Sequence, residues 1–132
     1  MITDIAELAG KWLEVLPEGE FDQLPGQVAE DFVLRLPYAP QGVPSEFRGR
    51  DVAQKALSES ARGRSRLILE NVQLLRTEDP ELLVATATGG ATMGNGKAYR
   101  NSYVMFVRIR DHMVVEHTEY FNPLKVIEAF AD

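Results

Sequence analysis

Asn95-Gly96 stands between two long runs of alternating apolar and polar residues, and no other short signal constrains the fold of the chain as strongly. A type I′ two-residue turn between antiparallel strands needs positive φ at both positions, which Asn and Gly tolerate, so the runs at about 81–93 and 98–109 are expected to form a hairpin. Similar runs at about 66–77 and 113–121 are also bounded by turn residues. The second half therefore reads as a four-stranded antiparallel meander.

The first half has a different period. Ile5, Leu8, Ala9, Trp12 and Leu16 recur at helical spacing, Asp4 with Glu7 resembles a capping box, and Pro17 ends the run. Phe21, Leu24 and Val28 continue a weaker helical pattern, which Gly19, Pro25 and Gly26 limit to a short second helix. Phe32, Leu34, Leu36 and Tyr38 alternate with Val33, Arg35 and Pro37, as in a half-buried strand that ends where proline removes a donor. Beyond a loop rich in Pro and Gly, Val52, Ala53, Ala56, Leu57 and Ser60 predict a third helix, closed by Gly63. Asn122 as N-cap and Pro123 at the first helical position start a last helix through Phe130. The expected class is α+β, one domain over 1–132, with N-terminal helices packed on a curved mixed or antiparallel sheet.

Register decides which side chains share a face, because a slip of one residue sends each of them to the other side. A two-residue loop at Asp111-His112 would set Phe106 opposite His117 and Val104 opposite Glu119, mixing apolar and charged groups on each face. A three-residue loop, Arg110-Asp111-His112, instead pairs Ile109 with Met113, Val107 with Val115, Met105 with His117, Tyr103 with Glu119, and Asn101 with Phe121. One face is then almost wholly apolar and ends in a polar group of Asn101, Tyr103, His117 and Glu119, so patterning prefers this register. The two-residue turn at Asn95-Gly96 pairs Val84 with Val107, Thr86 with Met105, and Thr88 with Tyr103. Thr86, Thr88 and Gly90 then leave room beside Tyr103, and a small-molecule cavity is expected there. The reverse, convex face carries Ala85, Ala87, Val104, Phe106, Thr118 and Tyr120 with no helix left to cover it, which predicts a homodimer.

A carboxylate at Glu119 in apolar surroundings is expected to have a raised pKa and to serve as proton donor or acceptor. His117 lies two residues away, roughly 7 Å along the same face. Asn101 and Tyr103 are candidates to donate hydrogen bonds to a carbonyl or enolate, although a buried Tyr and Asn equally well satisfy a core. The expected lining is Trp12, Phe32, Leu36, Tyr38, Leu57, Met105 and Phe121, together with Thr86 and Thr88. The predicted ligand is a small apolar organic molecule.

Composition narrows the remaining classes. Twenty acidic against fourteen basic residues, a net charge of -6, disfavour nucleic acid. With no cysteine and two histidines there is neither a thiolate site nor metal-ligand spacing, and no cofactor is expected. Thr3, Asp4 and Glu7 stand where a signal peptide would be basic and apolar, and no run approaches the roughly 18 apolar residues of a membrane span. A cytoplasmic protein is expected.

The order helix, helix, strand, helix and meander, with Tyr99-Arg100-Asn101-Ser102-Tyr103 and the closing run Glu116-His117-Thr118-Glu119-Tyr120-Phe121-Asn122-Pro123, resembles the nuclear transport factor 2-like superfamily, and within it the SnoaL-like proteins. The resemblance implies a cone-shaped α+β fold, often dimeric. Its members include polyketide cyclases, ketosteroid isomerases, dehydratases, the phenazine-biosynthesis A/B proteins and non-catalytic binders. The Glu-Tyr-Phe-Asn-Pro run is similar to the phenazine A/B proteins, whose matching glutamate is an acid/base residue, and this implies that role for Glu119 alone. Those proteins also use a histidine from the helical half, whereas His112 and His117 both lie in the meander. Two functions stay open: a cofactor-free isomerase, cyclase or dehydratase acting on a small apolar or polycyclic compound, and a non-catalytic binding or dimerising module.

Overall fold

A computed structural model of the chain, described over residues 1–131, arranges six strands and three helices in the order α1 (Ile5–Val15), β1 (Val28–Arg35), β2 (Glu46–Arg48), α2 (Arg50–Ala61), β3 (Ile68–Arg76), β4 (Leu82–Thr92), β5 (Ala98–Arg110), β6 (Met113–Phe121) and α3 (Pro123–Phe130). The sheet order is β2-β1-β6-β5-β4-β3. All neighbours are antiparallel except β1 and β6, which run parallel, so the sheet is mixed. The expected α+β class with helices on a mixed sheet holds.

Local signals set the helix ends where they were expected. The Asp4 carboxylate accepts a hydrogen bond from the Glu7 N–H, and the Asn122 side chain accepts one from the Leu124 N–H ahead of the helix opened by Pro123. α1 buries Leu8, Ala9, Trp12, Leu13 and Val15 on the inner sheet face, where they meet Phe32, Leu34, Met105, Val107 and Val114. Each Leu, Val, Phe or Met among them contributes roughly 1.5–3 kcal/mol when taken fully out of water. The weak pattern at Phe21 makes only a 3-10 turn, Phe21–Gln23, and Val28 begins β1 instead of ending a helix. β2, three residues paired antiparallel to β1, is too short to show any alternation and was not anticipated.

The two hairpins exchange the loop types expected of them. At the first, the Gly96 N–H donates to the Met93 carbonyl (2.9 Å) and the Met93 N–H to the Lys97 carbonyl (2.8 Å). Gly96, at φ 85°, takes the left-handed position that closes a three-residue loop of Gly94, Asn95 and Gly96. The register moves by one residue, pairing Leu83 with Val107, Ala85 with Met105, and Ala87 with Tyr103. Ala85 and Ala87 therefore face inward and are buried, while Thr86, Thr88 and Gly90 lie on the outer face. This corrects both the pocket assignment of Thr86 and Thr88 and the convex-face assignment of Ala85 and Ala87.

At the second hairpin, Asp111 and His112 (φ 52° and 60°) form the two-residue turn that patterning rejected. Parity survives because β6 bulges. Ile109 pairs with Val114 but Arg108 with Glu116, which leaves Val115 as an extra residue. Val107 then lies opposite His117, Met105 opposite Glu119, and Tyr103 opposite Phe121. His117, Glu119 and Phe121 still share the inner face, displaced by one cross-strand pair along it.

The outer face carries Val104 and the aromatic pair Phe106 and Tyr120, with ring centroids 6.0 Å apart. Tyr38 packs edge-on against Tyr120 at 5.3 Å and is 57% exposed, so it belongs to this face and not to the inner one. Arg108 bridges Asp79 (2.9 Å) and Glu116 (3.9 Å), and Arg35 bridges Glu46 (3.2 Å) and Glu116 (3.3 Å).

Candidate functional site

Between the inner sheet face, α2 and α3 lies an open cavity of about 270 Å³. Leu34 and Leu36 come from β1 and its exit, Leu57 from α2, and Leu67 and Leu69 from β3 and its approach. Tyr99 and Tyr103 of β5 and Glu119 and Phe121 of β6 supply the sheet wall, while Val126 and Phe130 of α3 line the remaining side. Of the predicted lining, Leu36, Leu57 and Phe121 are present, and of the predicted catalytic candidates Tyr103 and Glu119 reach the cavity. Trp12, Phe32 and Met105 lie beneath the wall as solid core, 0%, 0% and 1% exposed, because α1 presses directly on that part of the sheet.

Tyr99, Arg64 and the α3 side chains were missed. Tyr99 had a signal: it stands four residues before Tyr103 on the same strand, so the parity that turned Tyr103 inward also turned Tyr99 inward. Arg64 and α3 had none, since their approach to the sheet is decided by chain packing beyond any local pattern.

Gly89 shapes the wall without leaving it empty. A Cβ there would stand 2.8 Å from a ring carbon of Tyr103 and 3.1 Å from a Leu69 methyl, so the tyrosine ring lies over the space a side chain would take. Gly89→Ala is expected to push the Tyr103 ring aside and cost about 1–3 kcal/mol, read as a lowered denaturation midpoint. An unchanged midpoint would mean that the ring does not rest on this glycine.

The polar groups form two separate chains. In the first, the Asn101 Nδ2–H group donates to the Tyr99 hydroxyl (2.9 Å) and to the Asn122 carbonyl (2.9 Å), while Asn101 Oδ1 accepts from the Asn122 and Ser102 N–H groups (2.9 Å each). The Asn101 side chain is thereby committed to the β5 backbone, the start of α3 and Tyr99. The Tyr99 and Tyr103 hydroxyls lie 2.8 Å apart. Together they carry two protons, and only one can lie between them. Among the described residues no acceptor is within reach of the other, so one hydroxyl proton is left for a molecule in the cavity. Burial raises the Tyr103 hydroxyl well above the tyrosine range, with the neighbouring Tyr99 and the Glu119 charge adding to the effect. Tyr99 is raised as well, chiefly by burial. Both therefore stay protonated near neutrality and act as donors, not bases.

In the second chain, the Trp12 Nε1–H group donates to His117 Nδ1 (2.9 Å), and His117 Nε2 meets Glu119 Oε1 at 3.3 Å. His117 is completely buried, whereas the Glu119 side chain is 20% exposed and reaches the cavity. Among the described residues no arginine or lysine stands within ion-pair distance of Glu119. Arg64, on the cavity wall, is balanced elsewhere: its guanidinium donates to Glu18 Oε1 (2.8 Å) and to the Pro17 carbonyl (2.9 Å), and Glu18 also accepts from the Leu67 N–H (2.9 Å). The cavity thus presents a carboxylate and an available hydroxyl proton in apolar surroundings.

Comparison with known proteins gives a consistent result. The sequence profile of the SnoaL-like domain matches residues 9–117. An uncharacterised phenazine A/B-like protein of Pseudomonas aeruginosa is 32% identical over 102 residues, which cover 74% of this chain and 69% of the relative. A Bacillus subtilis structure provisionally named an isomerase superposes with a TM-score of 0.81 at 24% identity, covering 97% of this chain and 96% of its own. A Xanthomonas campestris structure provisionally named a polyketide cyclase gives a TM-score of 0.80 at 18% identity, with 96% of each chain covered.

Proposed function

The chain belongs to the SnoaL-like domain family, and from that premise we propose that it binds a small, neutral ring compound and moves a proton on it, with Glu119 as the acid/base group. The observation that carries this is the presence, in one apolar cavity, of a carboxylate with no arginine or lysine partner among the described residues and of a tyrosyl hydroxyl proton that has no acceptor among them. The spare proton of the Tyr99–Tyr103 pair would hydrogen-bond a substrate carbonyl and stabilise negative charge as it develops on that oxygen. Glu119 would take the proton from the adjacent carbon and return it elsewhere, as isomerisation, aldol-type cyclisation and dehydration all require. Asn101 acts by holding Tyr99, and His117 by holding Glu119. No cofactor is needed for such steps.

Size and charge narrow the substrate. About 270 Å³ exceeds the roughly 150 Å³ that encloses a benzene and lies near the lower end of ligand pockets, so one or two rings fit. With Arg64 neutralised by Glu18, the wall keeps the Glu119 charge, which disfavours an anion. The test is deuterium incorporation from D2O into 2-tetralone and a panel of monocyclic and bicyclic ketones at the carbon beside the carbonyl, followed by NMR. Acceleration of exchange is expected. Binding of these ketones without acceleration would instead favour the non-catalytic binder, a reading that the commitment of the Asn101 side chain to Tyr99, Asn122 and Ser102 also supports.

We also propose a homodimer through the outer sheet face, built on Val104, Phe106, Thr118 and Tyr120, with Val84 and Tyr38 in place of Ala85 and Ala87. An apolar face of this kind is stabilised by a second copy of itself. Light scattering is expected to show a dimer mass for the unaltered chain and a monomer mass for Val104→Glu, since Val104 is 41% exposed and its replacement leaves the core alone. A monomer mass for the unaltered chain would remove the proposal.

A further inference from the structure

We infer that Trp12 is a positioning residue that fixes the tautomer of His117, so that the histidine can only donate to Glu119 and takes no part in carrying protons. The functional half of this inference rests on the acid/base reading of Glu119, whereas the tautomer itself does not.

An indole N–H can donate a hydrogen bond but has no lone pair with which to accept one. At 2.9 Å from Trp12 Nε1, His117 Nδ1 must therefore present its lone pair, and the ring proton of the neutral imidazole stays on Nε2. That proton points at Glu119 Oε1, 3.3 Å away. The alternative tautomer would set two N–H groups against each other in the core and leave Nε2 facing a carboxylate with no proton between them. Both penalties act in the same direction.

The indole cannot readily turn aside. It is fully buried, with Phe21 at 5.0 Å and Phe32 at 5.2 Å between ring centroids, and it meets the imidazole ring edge-on at 5.9 Å. Helix α1 thus acts on a strand residue 105 positions away, and through it on the carboxylate facing the cavity. A histidine shuttle needs both ring nitrogens free to exchange protons, and here one is occupied by a donor that never accepts. Of the two titratable groups on the inner face of this strand, His117 and Glu119, the carboxylate is left as the one able to exchange a proton with a bound molecule.

Long-range proton–nitrogen NMR on the imidazole tests this without any substrate. In the unaltered protein His117 is expected to show a pyridine-type nitrogen at Nδ1 and a protonated one at Nε2. Glu119 also favours that tautomer, so the informative variants remove it. In Glu119→Ala the pattern should persist because Trp12 still imposes it, and in the double variant Glu119→Ala, Trp12→Phe the two nitrogen shifts should move toward each other as the tautomers average. A proton on Nδ1 in the unaltered protein, averaging already in Glu119→Ala, or a pattern unchanged in the double variant would each overturn the inference. If the double variant does not fold, the Glu119→Ala result decides alone. The ketone-exchange assay is independent of all three spectra, so failure here leaves the acid/base reading standing, and failure there leaves the tautomer standing.

Discussion

Glu119→Gln is expected to slow proton exchange into a bound cyclic ketone by roughly 10²–10⁴-fold, the span usual for loss of a general acid or base. Glutamine has nearly the same shape, and its amide oxygen can still accept from His117 Nε2–H, so the arrangement around the position is preserved. What it loses is the ability to take up a proton. Ketone binding should change far less than the exchange rate, because the apolar wall and the tyrosyl donor remain in place. The folded state should be unaffected, since the side chain is partly exposed and has a single side-chain partner among the described residues. An exchange rate equal to that of the unaltered protein would remove Glu119 from the mechanism, and a rate lost together with the fold would show that the carboxylate is structural.

Trp12→Ala is expected to produce the largest loss of stability of any single change in the site's support, about 3–5 kcal/mol for the deleted aromatic volume. A second penalty adds to it. His117 Nδ1 would lose its donor in a fully buried position, and an unsatisfied buried acceptor costs about 1–3 kcal/mol. Domains of this size commonly have 5–15 kcal/mol in total, so the variant should lie close to the limit of folding. Denaturant titration with the slope compared between proteins measures it, because a shifted midpoint at equal slope reports stability alone. A loss below about 2 kcal/mol would mean that α1 does not press on the sheet as described.

Much of the architecture was legible along the chain because its causes are local. Asp4 and Glu7 at the start of α1, and Asn122 with Pro123 at the start of α3, satisfy backbone groups within a few residues of themselves, so their spacing suffices to locate the helix ends. Alternation likewise marked β4, β5 and β6, and it turned His117, Glu119, Tyr103 and Asn101 to one face even though the loop lengths were misassigned. The bulge at Val115 explains that outcome: a two-residue turn followed by one extra residue has the same parity as a three-residue turn.

Where two loop conformations were both chemically allowed, the residues did not choose between them. Gly94-Asn95-Gly96 supports a two-residue or a three-residue loop equally well in local terms, and only packing selects the one that buries Ala85, Ala87 and Gly89 on the inner face while Thr86 and Thr88 lie on the outer one. The consequence was a one-residue error on β4 that misplaced two pocket residues and two outer-face residues together. The same limit hid β2 and the parallel pairing of β1 with β6, whose partners lie about eighty positions apart and share no spacing signal.

Sequence by itself determined that α1, α2 and α3 are helices and β3 to β6 strands, and which face of β5 and β6 carries the polar residues, because hydrogen-bond capping and side-chain alternation are properties of neighbouring residues. Tertiary structure alone decided that Trp12 clasps His117, that Asn101 is committed to Tyr99 and Asn122, that Tyr99 and Arg64 join the cavity wall, and that α3 closes one side of it. Those relations depend on where distant segments come to rest, and that position is set by the summed burial of the whole core and not by any short run of residues.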